Sequence, residues 1–205
     1  MARDRQSIVK MSRREGYALH PKAHKILVRR TNGPGQAQGY NPRSKASQYA
    51  LQLREKQKVK RLYGLLERQF SNLIKQAAKQ SGETGTVLLQ LLELRLDNAV
   101  YRSGFAPSRR AARQLVSHGH FMLNDVRVDI PSIRVKIGDN LKVRPHSQKT
   151  DYFKRLDDTS PAPSDIPGWL KVDRKKLTVN ITGLPSREDA EPDINEQLIV
   201  EYYSR

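Results

Sequence analysis

Between residues 48 and 80 the chain repeats its apolar positions with the period of a helix. QYALQLREKQKVKRLYGLLERQFSNLIKQAAKQ sets Leu51, Leu62, Leu65, Leu66, Phe70, Leu73, Ile74 and Ala77 near i, i+3, i+4, i+7 spacing. Gly64 predicts a kink or two helices, and Ser81-Gly82 ends the run. The other face carries Arg54, Lys56, Lys58, Lys60, Arg61 and Arg68, with only Glu55 and Glu67 as acids. Pairing within the helix cannot neutralise it, which points to an external anion. Residues 86–103, TVLLQLLELRLDNAVYRS, predict a further helix. Thr86 suits its cap, and Gly104 suits the position past its end. Its leucines read as core.

A short helix is predicted next, in SRRAARQLVSHGHFMLND (108–125), with Ser108 as N-cap and Gly119 at its end. Ala112, Leu115 and Val116 share one side; Arg109, Arg110, Arg113, Gln114 and Ser117 share the other. Arginines in a first turn oppose the helix dipole, and a phosphate there reverses the sign. The pattern then switches to alternation. HFML and VRVDI around Asn124-Asp125 predict a hairpin, with Phe121, Leu123, Val126, Val128 and Ile130 as candidates for its buried side. IRVKIGDNLKVR (133–144) predicts two more short strands about Gly138-Asp139. Residues 145–168 lose order. WLKVDRKKLTVNIT (169–182) suggests strands, and DINEQLIVEYYSR (193–205) a closing helix capped by Asp193 or Asn195. Residues 1–46 show no sustained periodicity and are broken by Gly33, Pro34, Gly35, Gly39 and Pro42. They read as an extended basic segment, either a disordered tail or one that orders on nucleic acid.

The fold class is therefore α+β: a basic helical domain, and an inserted compact α+β module of short helices followed by a small antiparallel sheet. The expected boundaries are 1–46 extended, 47–92 helical and completed by about 190–205, 93–155 the module, and 156–205 an irregular or strand region with a final helix.

Charge narrows the class of partner. The 205 residues hold 38 Lys+Arg against 21 Asp+Glu, a net charge of +17. Residues 1–90 hold 19 basic and 5 acidic side chains (+14), residues 91–145 hold 10 and 5 (+5), and residues 146–205 hold 9 and 11 (−2). Such a surface repels itself unless an anion neutralises it, and nucleic acid is the first candidate. A membrane is not: no apolar run approaches the roughly 18 residues a span needs, and no secretory signal or lipidation motif stands at either end. The composition reads as that of a soluble, intracellular protein.

Catalytic and metal chemistry find little support. The chain has no cysteine, so no thiolate site is available. His20 and His24 have i, i+4 spacing, but Pro21 breaks the helix that would use it. His118 and His120 flank Gly119 at a helix-to-strand turn, where their side chains diverge; His118 suits a helix C-terminus. No phosphate-cradling glycine motif and no nucleophile elbow occurs. The expectation is no enzyme, no cofactor, no metal and no small-molecule substrate. No paired-aromatic stacking sheet is visible, so recognition of RNA shape and phosphates by Arg and Lys fits best.

These residues also resemble a known family. RLDNAVYRSGFAPSRRAARQLVSHGHFMLNDVRVDIPSIRVKIGDNLKVR (95–144) resembles the S-four RNA-binding domain. SRREG (12–16), PGQ (34–36), QLREKQKVKRLYGLLERQF (52–70) and DINEQLIVEYYS (193–204) are similar to the bacterial and organellar S-four family of small-subunit ribosomal proteins. The resemblance implies binding to small-subunit ribosomal RNA at a multi-helix junction of its 5′ domain, early in assembly. It implies ribosomal proteins S-five and S-three as neighbours. It further implies messenger RNA near the entry channel, an influence on decoding accuracy, repression of the protein's own operon in some members, and a cytoplasmic or organellar ribosome as location. By motif, Arg13, Arg14, Arg54, Lys56, Lys58, Arg61 and Arg68 meet RNA from the helical part. Ser108, Arg109, Arg113, Gln114, Ser117, His118, Asn124 and Arg127 match the module's RNA-facing motif. Arg43 and Lys45 border the messenger channel.

Three departures stand out. The four N-terminal cysteines that hold zinc in some members are missing. Basic residues after PGQ are few, which weakens a messenger-unwinding role. Asp125 stands where the hairpin turn often has glycine, and aspartate tolerates positive φ less easily, which predicts a changed turn type. An RNA-modifying enzyme carrying the same module needs a catalytic domain for which the chain leaves little room. A free regulator fits poorly with the long basic helical part.

Overall fold

The computed structural model describes residues 6–30, 32–35 and 46–204. In chain order come α1 (Ile8–Glu15), a 3-10 turn (Pro21–Ala23), α2 (His24–Arg29), α3 (Gln48–Leu62), α4 (Glu67–Ala77) and α5 (Thr84–Glu93). Next are α6 (Leu96–Arg102), α7 (Arg109–Ser117), β1 (Phe121–Leu123), β2 (Val126–Val128) and β3 (Asn140–Val143). Then follow α8 (Pro145–Gln148), α9 (Asp151–Lys154), α10 (Leu156–Thr159), β4 (Leu170–Asp173), β5 (Thr178–Ile181) and α11 (Glu196–Tyr203). The described residues form two compact units, one within 1–88 and 193–205, the other within 89–192.

The first unit is helical. The glycine-marked break in the long apolar pattern is real: α3 ends at Leu62, Gly64 takes φ 66°, and α4 starts at Glu67. Val59, Leu62, Leu65, Phe70, Leu73, Ile74 and Ala77 are buried, while Leu51 is exposed. α11 packs along α3. Its Asn195 side chain accepts from Leu198 N–H as N-cap, and Ile199 is buried. The expectation of an extended segment over 1–46 is corrected: α1, the 3-10 turn and α2 lie within it. Among its described residues Met11, Leu19 and Ala23 are the buried apolar ones, too few to show a period. They are buried by tertiary packing, including that of α1 on α3. Arg43 and Lys45 lie outside the described residues.

The second unit layers helices on one antiparallel sheet of order β2-β1-β3-β5-β4. Its core runs from Leu96, Ala99, Val100 and Phe105 through Ala112 and Val116 of α7 to Phe121, Leu141, Val143, Val179 and Ile181 of the sheet. Two expectations fail together here. The single helix over 86–103 is broken, and no strand forms over 133–137. Leu96 N–H donates to Ile133 C=O at 2.8 Å, and Val135 N–H donates to Leu94 C=O at 2.9 Å. Backbone at 94–96 thus leaves the helix to pair with 133–135, which is used up in that bridge. Thr86 lies inside α5, its hydroxyl donating to Glu83 rather than capping.

Residues 145–159 are not irregular either. They form three short helical turns, anchored by buried Phe153 and Leu156. Beyond them, β4 and β5 join the module's own sheet, where Leu170, Val179 and Ile181 are buried in the same core. In the first hairpin, Asn124 (φ 49°) and Asp125 (φ 68°) keep the left-handed pair of a primed two-residue turn despite the missing glycine. Phe121 is buried and Leu123 and Val128 are half-buried, but Val126 and Ile130 are exposed.

Candidate nucleic-acid interface

In α7 the sequence dictates both faces. Ser108, in extended backbone, accepts from Ala111 N–H, and Gly119 at φ 71° closes the helix. Ala112 and Val116 go to the core. Arg110, Gln114, Ser117 and His118 are exposed on the opposite side. Arg127, exposed on β2, lays its guanidinium over Gly119: a Cβ there would lie 2.7 Å from Nε and 2.8 Å from Nη2. The hairpin therefore extends the polar face of α7. Asn124 is also exposed, but its amide ties the turn to β3, donating to Asp139 at 2.8 Å and accepting from Asn140 N–H at 2.8 Å.

Arg109 and Arg113 do not join Arg110 on that exposed face. Arg109 donates to Asn98 Oδ1 and Glu191 Oε1, each at 2.9 Å, and its guanidinium lies 4.5 Å from the Tyr101 ring centroid. Arg113 reaches Asp97 at 3.3 Å, and Arg95 grips the same carboxylate at 2.9 Å. Arg102 forks onto fully buried Glu93 at 2.9 and 3.0 Å. The arginines that the helix pattern assigns to solvent are thus partly neutralised from α5, α6 and the segment after β5. Ser108 spends its side chain as the cap and is buried.

The first unit repeats this theme. Lys56 and Lys60 each lie 2.8 Å from an oxygen of Glu67, and Lys58 lies 2.8 Å from Glu55. Lys58 also donates to Asp193 C=O at 2.6 Å. Lys56 is buried, its Nζ 4.5 Å from the Tyr202 ring centroid. Arg61 and Arg54 both pair with Glu15 of α1, and Arg13 ties α1 to residues 32–33 by donating to Asn32 C=O at 2.8 Å and to Gly33 C=O at 3.1 Å. The expectation that pairing within the run cannot neutralise face 54–68 is corrected: Glu55 and Glu67, its two acids, hold Lys56, Lys58 and Lys60, and Glu15 of α1 reaches Arg54 and Arg61. Arg14, Arg54 and Arg68 remain exposed.

Titration follows these contacts. Burial pushes the Glu15 carboxyl above its ordinary value against the pull of Arg61 and Arg54. Burial, then the nearby charges of His118 and Arg144, lowers His120, whose Nδ1 lies 3.1 Å from Ser147 Oγ. The rings of His118 and His120 are 6.0 Å apart and tilted by 43°. Among the described residues no group of three or more His, Asp or Glu side chains could hold a metal ion. No described helix is long and apolar enough to cross a membrane.

Glu15, Glu93, Asp97, Arg102 and Glu191 lie outside the set that the motifs single out. One signal was available: in LLELRLDN an acid inside an apolar run must find a cation when buried.

The sequence matches the family described as ribosomal protein S4/S9 N-terminal domain over residues 3–93 and the S4 domain over residues 94–141. It is 51% identical over 206 aligned residues to the small ribosomal subunit protein uS4 of Chlorobaculum tepidum, covering all of both chains. It is 52% identical to that of Chlorobium limicola and 48% to that of a Roseiflexus species, again over 206 aligned residues and the full length of both chains. A helical unit of this family joined in sequence to an S4 domain defines a ribosomal protein. The chain belongs to the small ribosomal subunit protein uS4 family, whose members are structural proteins of the ribosome and not enzymes. The matched S4 domain stops at residue 141, whereas the compact unit continues to residue 192 and includes β4 and β5.

Proposed function

We propose that this chain binds small-subunit ribosomal RNA directly, at a multi-helix junction of the 5′ domain, and helps to start assembly there. The observation that carries this is the exposed face of α7 continued by Arg127. Arg110, Gln114, Ser117 and His118 offer donors on one helix side, backed by a packed core. Such a face suits phosphates and groove shape rather than stacked bases. Arg14, Arg54 and Arg68 form the contact set of the helical unit. Arg13, Lys56, Lys58, Arg61 and Arg113 act one step back, holding elements in place, as Ser108 and Asn124 do. On the same reading proteins S-five and S-three are neighbours in a cytoplasmic ribosome. Arg43 and Lys45 border the messenger path, contacts to S-five bear on decoding accuracy, and the free protein represses its own operon.

Chemical footprinting of the 5′-domain RNA tests the reading. Protection is expected in paired regions around one junction; protection confined to single-stranded loops, or none, overturns it. Arg110→Ala with Arg127→Ala is expected to weaken binding and reduce the salt slope by about 2, with an unchanged melting temperature.

A further inference from the structure

Glu191 stands in the segment after β5, which has no regular structure at that point. Its Oε1 lies 2.9 Å from Nη2 of Arg109 and 3.6 Å from Nη2 of Arg102. Both guanidiniums are aimed by inner partners. Arg102 is forked onto Glu93, which is fully buried. Arg109 is oriented by Asn98 Oδ1 and the Tyr101 ring. Against these two cations, Glu93 supplies one negative charge from within and Glu191 a second from the rim.

The two acids differ in how firmly they are held. The Glu93 side chain has no exposure, whereas that of Glu191 is 22% exposed. Ala190 beside it is buried, so the backbone is anchored and Glu191 can leave by side-chain rotation alone. A phosphodiester carries the same single charge as this carboxylate and likewise offers two oxygens to a guanidinium fork.

We propose that Arg102 and Arg109 form a phosphate subsite for RNA and that Glu191 is its internal occupant, displaced when the RNA backbone docks. This rests on the RNA-binding reading above. The exchange is isoelectric, and no uncompensated charge is buried in either state. It also accounts for an arginine at the first position of α7, where the helix dipole alone disfavours a cation. The free protein covers the subsite with its own carboxylate, which suppresses binding to any polyanion that cannot displace it.

The test uses the full chain and a transcribed 5′-domain fragment of bacterial small-subunit ribosomal RNA, titrated across salt. Glu191→Gln is expected to bind about fivefold more tightly at low salt, because the phosphate then has no competitor. Arg109→Gln is expected to weaken binding, and the double variant to gain nothing from Glu191→Gln. Arg109→Lys, which keeps the charge but loses the fork, replaces Arg109→Gln if the latter does not fold, as read by thermal melting. If wild type binds and Glu191→Gln binds no tighter, the subsite is wrong while the RNA-binding reading stands. An equal gain in the Arg109→Gln background marks a bulk charge effect and also overturns it. Wild type that fails to bind the fragment overturns both.

Discussion

Glu67 shows how much one carboxylate organises on a basic helix face. Lys56 and Tyr203 donate to its Oε1 at 2.8 and 2.7 Å, and Lys60 donates to Oε2 at 2.8 Å. Burial acts to raise its pKa, but these three hydrogen bonds outweigh that and hold it at about 2, below the ordinary 4.5. Burial, with the hydrogen bond to Glu67, raises Tyr203 and keeps its hydroxyl a donor. The sign follows: the folded pKa is depressed, so the stabilisation is full above 4.5 and is lost as pH falls towards 2. The denaturant midpoint of wild type should drop through that window, and Glu67→Gln should flatten the drop. An unchanged slope in the variant would show that the contacts do not stabilise the fold. The side chain is 48% exposed, so solvent screening keeps the effect modest. Residue identities made these charges visible, but their pairing was hidden: Tyr203 and Glu67 are 136 positions apart.

At the scale of elements, local signals did well wherever the chain itself supplies the partner. The Ser108 and Asn195 caps, the split at Gly64, the hairpin about Asn124-Asp125 and the end of α7 at Gly119 rest on contacts within a few residues. They failed where a distant segment competes for backbone. The break at 94–95 exists because residues 133–135 take its hydrogen bonds, and no periodicity within 86–103 carries that information. The hairpin turn gives a direct test. Asp125 holds φ 68°, and its pair with Lys142 is on the surface, where such pairs contribute little. Asp125→Gly relieves the left-handed backbone and should stabilise the second unit by about 0.5 kcal/mol net of glycine's greater freedom when unfolded, read as a higher melting temperature. Destabilisation would show that the Lys142 pair matters more than the backbone.

For the whole molecule, charge is the dominant property. With +17 overall and +14 in residues 1–90, binding to RNA should fall steeply with salt, each phosphate contact adding about 0.9 to the slope of log affinity against log salt. A flat curve in filter binding would rule out an electrostatic grip. That much, with the α+β class, the helices over 48–80, 109–117 and 196–203, the hairpin about Asn124-Asp125 and the family resemblance, is written in the sequence, because periodicity, caps and net charge are local or additive. Which cations face outward is not. Arg109 and Arg110 are neighbours on one helix, yet the first is held by Asn98 and Glu191 while the second is exposed. Likewise Lys56 is buried beneath Glu67 and Tyr202, whereas Arg54 on the same helix remains exposed. Only tertiary structure decides this, because a charge can be buried only where another part of the chain brings a countercharge and hydrogen-bonding groups to it.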